Sequence, residues 1–115
     1  YISYFKKLNT KISLPIISSD KKSAWAQFTI ILPKGVNRES LQKKLLEKHI
    51  PTAIYYPIPL HKQKPYKKYL LSKDNLKNTV YLSKHVISLP MHPYLSKSNI
   101  KYICENFNKI ISEMI

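Results

Sequence analysis

The chain has 115 residues, enough for one domain around one core, and its apolar content of 43% excludes a disordered polypeptide. No apolar run approaches the roughly 20 residues that span a bilayer, so no membrane partner is expected. The formal charge is +14, but 19 of the 20 cations are lysine and they are spread along the whole chain, with Arg38 the one arginine. Forked recognition of phosphates and bases favours arginine, so this charge reads first as a general lysine background and only second as a basic regulatory or nucleic-acid-binding module.

Residues 1–9 set Tyr1, Tyr4, Phe5 and Leu8 at helical i, i+3, i+4, i+7 spacing. The pattern is already under way at Tyr1 and lacks a polar cap, so it reads as the end of a helix that begins elsewhere. Residues 10–23, with Pro15 and several serines and lysines, form an irregular connection. From Ala24 to Leu32 the sequence alternates and predicts a strand, which Pro33 and Gly35 end. Asn37 is the expected N-cap of a helix running to about His49, with Leu41 and Leu45 on one face, and Pro51 stops it. Thr52 to Tyr56 reads as a short strand. Short helices are expected over Lys67 to about Leu71 and over Leu76 to Lys84, the second facing Leu76 and Val80 inward. His85 to Leu89 reads as a compact strand ended by Pro90. Ser96 should cap the last helix, where Ile100, Ile103, Cys104, Phe107, Ile110, Ile111 and Met114 make one apolar stripe. Cys104 on that stripe reads as a structural thiol, and a single cysteine fits a reducing cytoplasm.

These elements predict a small α/β domain of the α+β kind. It is a two-layer sandwich in which a short, mostly antiparallel sheet of about three strands is covered by helices. No linker composition divides it.

Between the second strand and the next helix lies Tyr55–Tyr66, with three tyrosines, a histidine, a glutamine and three prolines. The prolines fix φ near −65° and keep helix and central strand out. The stretch reads either as a proline-rich connector or as a rigid binding loop, since aromatic and hydrogen-bonding groups held in place lose little further entropy on binding. Catalytic signals are missing elsewhere. One glycine cannot build a phosphate cradle, and the six acidic residues are dispersed. His49, His61, His85 and His92 have no cysteine partners at metal-ligand spacing, and no lysine lies in an apolar, glycine-framed setting. No residue is therefore assigned to catalysis, to a metal or to a cofactor.

Read in order, Ala24-Trp25-Ala26-Gln27-Phe28, His49-Ile50-Pro51-Thr52-Ala53, Tyr55-Tyr56-Pro57, Pro59-Leu60-His61-Lys62-Gln63 and Ser88-Leu89-Pro90-Met91-His92-Pro93 make a specific combination. It resembles the C-terminal small domain of the DegT/StrS family of sugar aminotransferases. The resemblance implies the small-domain fold of a type I aminotransferase over residues 24–115, preceded in residues 1–23 by the end of an inter-domain helix and a connector. It also implies pyridoxal phosphate in the full-length family, a UDP- or dTDP-linked keto-sugar as substrate, a homodimer and a cytoplasmic location. Tyr55, Tyr56 and His61 would border the substrate, with Gln63 beside them, while Tyr66, Met91, His92 and Tyr94 pave the domain edge. The cofactor lysine and its supporting residues lie in the family's preceding large domain. On this resemblance the chain is a fragment, the product of a split or decayed gene, or a subunit that complements a separate large domain.

Overall fold

The computed structural model describes residues 1–69 and 76–115. Its elements are α1 (Ile2–Leu8), β1 (Phe28–Ile31), α2 (Arg38–Glu47), two short 3₁₀ segments (Leu60–Lys62 and Lys64–Tyr69), α3 (Lys77–His85), β2 (Val86–Leu89) and α4 (Lys97–Ser112). Both sequence-predicted caps form. Asn37 Oδ1 accepts from Ser40 N–H at 2.9 Å, and Ser96 Oγ accepts from Asn99 N–H at 3.0 Å, each satisfying an orphan donor of the first turn. At the far end of α2 the chain closes a Schellman turn. His49 takes φ 56°, its N–H donates to Leu46 O, and Ile50 N–H donates to Leu45 O. Ile50 thereby turns back into the core, where it is buried.

β1 and β2 pair antiparallel, with Phe28 opposite Leu89 and Ile30 opposite Ile87. These four side chains share one buried face. The other face carries Thr29 and Ser88, whose hydroxyls meet at 2.7 Å. Leu41 and Leu45 of α2, Phe5 of α1, and Ile103, Cys104, Phe107, Ile110 and Ile111 of α4 close over the apolar face. α1 and α2 both pack on α4. Phe5 meets Phe107 edge-on, with ring centroids 5.6 Å apart. The result is the two-layer arrangement of a short antiparallel sheet under helices.

The sheet differs in detail from the expected three strands. Only two strands form. Thr52–Tyr56 contributes a single antiparallel bridge, Ala53 to Ser88, because Pro51 and Pro57 flank it and remove donors that a longer ladder would use. On the opposite edge Ser13 bridges Ile31 in the same way. β1 begins at Phe28 rather than Ala24, since Trp25 adopts φ 51° and breaks the extended run. In α3 the inward residue is Ser83, while Val80 is half-buried and Leu76 is 39% exposed. The end of the short helix expected over Lys67 to about Leu71 lies outside the described residues.

Arg38 ties two of these elements together. Its Nη1 donates to Ser83 O at 2.7 Å and to Val86 O at 3.1 Å, which fixes the start of α2 against the α3–β2 junction.

Phe107 is fully buried and touches both the sheet side and α1, so Phe107→Ala should destabilise the domain by about 3–5 kcal/mol in chemical denaturation. Burial pushes the Cys104 thiol up from 9.0 to about 11. Between those pH values the folded chain keeps a proton that the unfolded chain loses, so stability falls as pH rises through that window. Denaturation of the wild type and of Cys104→Ala from pH 8 upward should show the wild type losing stability faster, and native Cys104 should resist thiol reagents at pH 8.

Candidate functional site

The loop after α2 is fastened at its start and folded on itself. Ala53 N–H donates to Ser88 O at 3.0 Å and Ser88 N–H donates to Ala53 O at 2.9 Å, joining the loop to β2. Pro59 is buried and anchors the middle. The N–H groups of Lys62, Gln63 and Tyr66 donate to the carbonyls of Pro59, Leu60 and Gln63, making the two 3₁₀ turns. Fixed φ at Pro57, Pro59 and Pro65 adds to this restraint.

The side chains of this restrained backbone point outward. Tyr55 is 54% exposed and Tyr56 76%, and Ile58, Leu60, Tyr66 and Tyr69 join them in one exposed apolar run of sequence. These side chains are left largely outside the domain's own packing. Gln63 lies on the same loop, where its Nε2 donates to Ile58 O at 3.3 Å and leaves the amide oxygen as its outward group. Tyr94, on the second proline-bounded loop, is almost fully exposed. Met91 and Trp25 instead pack against the core, Trp25 with its ring 5.6 Å from that of Phe28.

His61 turns the other way. Its Nε2 is enclosed and has no hydrogen-bond partner among the described residues. The His61 side chain also lines a cleft of about 790 Å³ between the two 3₁₀ segments and α3. Tyr55 borders a separate, shallower hollow of about 240 Å³ with Gln27, Thr52, Ser88 and Pro90. The four sequence-predicted site residues thus share one loop but not one cavity.

The α3 face of the cleft was not foreseen. Lys77, Val80, Tyr81, Lys84 and His85 line it. Their i, i+3, i+4, i+7, i+8 spacing puts them on one stripe of helix, a signal present in the sequence but masked by the polarity of the residues. Tyr81 and His85 stack at 4.1 Å, and His85 Nδ1 lies 2.8 Å from Tyr81 O. His85 therefore closes the helix end.

Comparison with known proteins gives this arrangement a context. The profile of the DegT/DnrJ/EryC1/StrS aminotransferase family matches residues 1–108. The chain belongs to this family. It is 41% identical over 95 residues to a UDP-2-acetamido-2-deoxy-3-oxo-D-glucuronate aminotransferase of Pseudomonas aeruginosa, covering 81% of this chain and 24% of that protein. It is 32% identical over 109 residues to the dTDP-3-amino-3,6-dideoxy-alpha-D-galactopyranose transaminase of Aneurinibacillus thermoaerophilus, covering 95% of this chain and 28% of that protein. A crystal structure of a DegT DnrJ EryC1 StrS aminotransferase from Brucella abortus superposes with a TM-score of 0.83 at 34% identity, over 95% of this chain and 28% of the other. The chain thus spans about a quarter of the length of the relatives it matches.

Aminotransferases of this family depend on pyridoxal phosphate. The described residues do not fit that cofactor. Every described lysine is exposed except Lys44, which is half-buried on α2, so none lies in the desolvated setting that an attacking amine requires. Gly35, the chain's single glycine, stands at the turn after β1 and frames no phosphate cup. No group of three His, Cys, Asp or Glu side chains gathers at metal-binding distance among the described residues. No described helix is long and apolar enough to cross a membrane.

Because one bridge holds the loop to β2, Ala53→Pro removes the donor to Ser88 O and should free residues 54–69. The expected loss is about 1–3 kcal/mol in denaturation, together with faster proteolytic cleavage inside the loop.

Proposed function

We propose that this chain is the substrate-facing small domain of an aminotransferase that aminates a keto-sugar linked to UDP or dTDP, and that it does not turn over by itself. The observation that carries the reading is the fixed loop with outward aromatic groups, joined to β2 through Ala53. The 41% identity to an aminotransferase named for a UDP-linked sugar supports the substrate class. Tyr55 and Tyr56 offer ring faces and hydroxyls to a base or a sugar. The His61 imidazole offers a ring nitrogen to a sugar or phosphate oxygen, and Gln63 offers its amide oxygen. A loop already held in one conformation binds with little further ordering.

In this reading residues 24–115 are the small domain, and residues 1–23 carry the end of an inter-domain helix and its connector. α1 of that segment already lends Phe5 to the core, so the connector and the small domain form one packed unit. The lysine, the carboxylate and the phosphate-binding groups for pyridoxal phosphate come from the part of the relatives' length that this chain does not span, in the same polypeptide or in a separate subunit. The complete enzyme is a cytoplasmic homodimer.

Two measurements test this. Titration of the chain with pyridoxal phosphate should give no saturable absorbance band, and a stoichiometric band would overturn the assignment of the cofactor to another domain. With the large domain supplied by the Pseudomonas relative, in cis or in trans, amination of a UDP-linked keto-sugar should appear, and Tyr56→Ala or His61→Ala should raise KM by about tenfold. Unchanged KM in both variants would sink the substrate-facing role of the loop.

A further inference from the structure

Two side chains of α2, one turn apart, hydrogen-bond to the backbone of other elements. Arg38 donates to Ser83 O and Val86 O and so fixes the start of β2. Gln42, four residues on, donates from Nε2 to Thr52 O at 3.3 Å and to Thr52 Oγ1 at 3.2 Å. The Thr52 carbonyl can only accept, so the amide nitrogen of Gln42, and not its amide oxygen, must face it. Among the described residues, these are the only side-chain hydrogen bonds that tie residues 52–69 to the rest of the chain. Thr52 directly precedes Ala53, whose N–H and C=O pair with Ser88. The loop bearing Tyr55 and Tyr56 therefore leaves the domain from two adjacent residues held on two sides, Ala53 by β2 and Thr52 by α2. Thr52 also lines the hollow that Tyr55 borders, whereas Gln42 does not.

We propose that Gln42 is a positioning residue for this loop: acting through Thr52, it sets the direction in which Tyr55 and Tyr56 leave the fold. The inference rests on the substrate-facing reading of the loop and adds to it a residue that lies outside the loop. One antiparallel bridge fixes a point on the chain and leaves it free to swivel there, because its two hydrogen bonds meet at a single residue pair. A second hold at Thr52, from a different direction, removes that freedom. Tyr55 and Tyr56 follow Thr52 by three and four residues, up to about 10–13 Å of extended chain, so a swivel of about 10° would move them by up to about 2 Å. A displacement of that size is enough to weaken contacts to a bound ligand. Arg38 makes the hold effective, because it keeps β2 and α2 in one frame against which Gln42 acts.

Amide hydrogen exchange on the whole chain tests the hold, and steady-state kinetics with the large domain of the Pseudomonas relative tests its use. Gln42→Met keeps the length of the side chain and removes its donors. Exchange at the Ala53 and Ser88 amides should then quicken by about tenfold, while the amides of α4 keep their wild-type rates. In the reconstituted enzyme KM should rise by about fivefold with kcat within about twofold, the mark of lost binding geometry with the chemistry and the fold intact. Gln42→Met/Thr52→Val should be no worse than Gln42→Met alone, since both substitutions act on one contact. Lys43→Met, at the exposed neighbouring position, should change neither exchange nor KM. Unchanged exchange at Ala53 in Gln42→Met would overturn the proposal, and so would additive effects in the double variant. An unchanged KM in Gln42→Met where Tyr56→Ala raises it would overturn the positioning role alone. Unchanged KM in both the Tyr56 and His61 variants would instead overturn the substrate-facing reading, and the exchange rates would still decide whether Gln42 holds the loop.

Discussion

Burial of the α4 stripe against the β1–β2 pair is the contact on which the rest depends. Ile103, Cys104, Phe107, Ile110 and Ile111 cover Phe28, Ile30, Ile87 and Leu89, and α1 and α2 then pack on α4. A two-stranded ribbon is marginal alone in water, so these strands owe their persistence to the helix that covers them. Phe107 couples the layers because it reaches Phe5 of α1 as well, and Cys104 lies so deep in the same stripe that its charged form is disfavoured. Arg38 supplies the polar counterpart, holding the start of α2 to two carbonyls at the α3–β2 junction.

From that core the Tyr55–Tyr66 loop is positioned by very little. One antiparallel bridge at Ala53, one buried proline at 59 and a few 3₁₀ hydrogen bonds hold the segment. Its tyrosines are left outward, and His61 is turned toward α3. A backbone fixed this way presents side chains without using them in its own packing, which is the condition for recognition. The same economy makes Gln63 partly structural, because one end of its amide is occupied by Ile58 O.

Charge takes its meaning from the fold in the same way. Along the sequence the lysines look like a uniform background, and a charge of +14 by itself says only that anions are favoured near the surface. Folding places Lys62 and Lys67 of the loop and Lys77 and Lys84 of α3 along one cleft.

The sequence by itself determined the helices with strong stripes and good caps, the antiparallel character of the short sheet, and the family. Asn37, Ser96 and the Ile103–Ile111 stripe specify their structures locally, through side-chain capping and through a 3.6-residue period. The ordered blocks at Trp25, Tyr55–Gln63 and Leu89–Pro93 carry the family resemblance, and the profile match over residues 1–108 agrees with it. Only the tertiary structure decided that Thr52–Tyr56 pairs through one residue, that Trp25 leaves the strand, and that Ser83 rather than Leu76 faces inward. It also decided that Tyr55 and His61, six residues apart, open onto different cavities. The physical reason is common to all of these. Strand pairing, inward direction and cavity lining depend on which distant segment lies opposite, and neither periodicity nor local propensity contains that information.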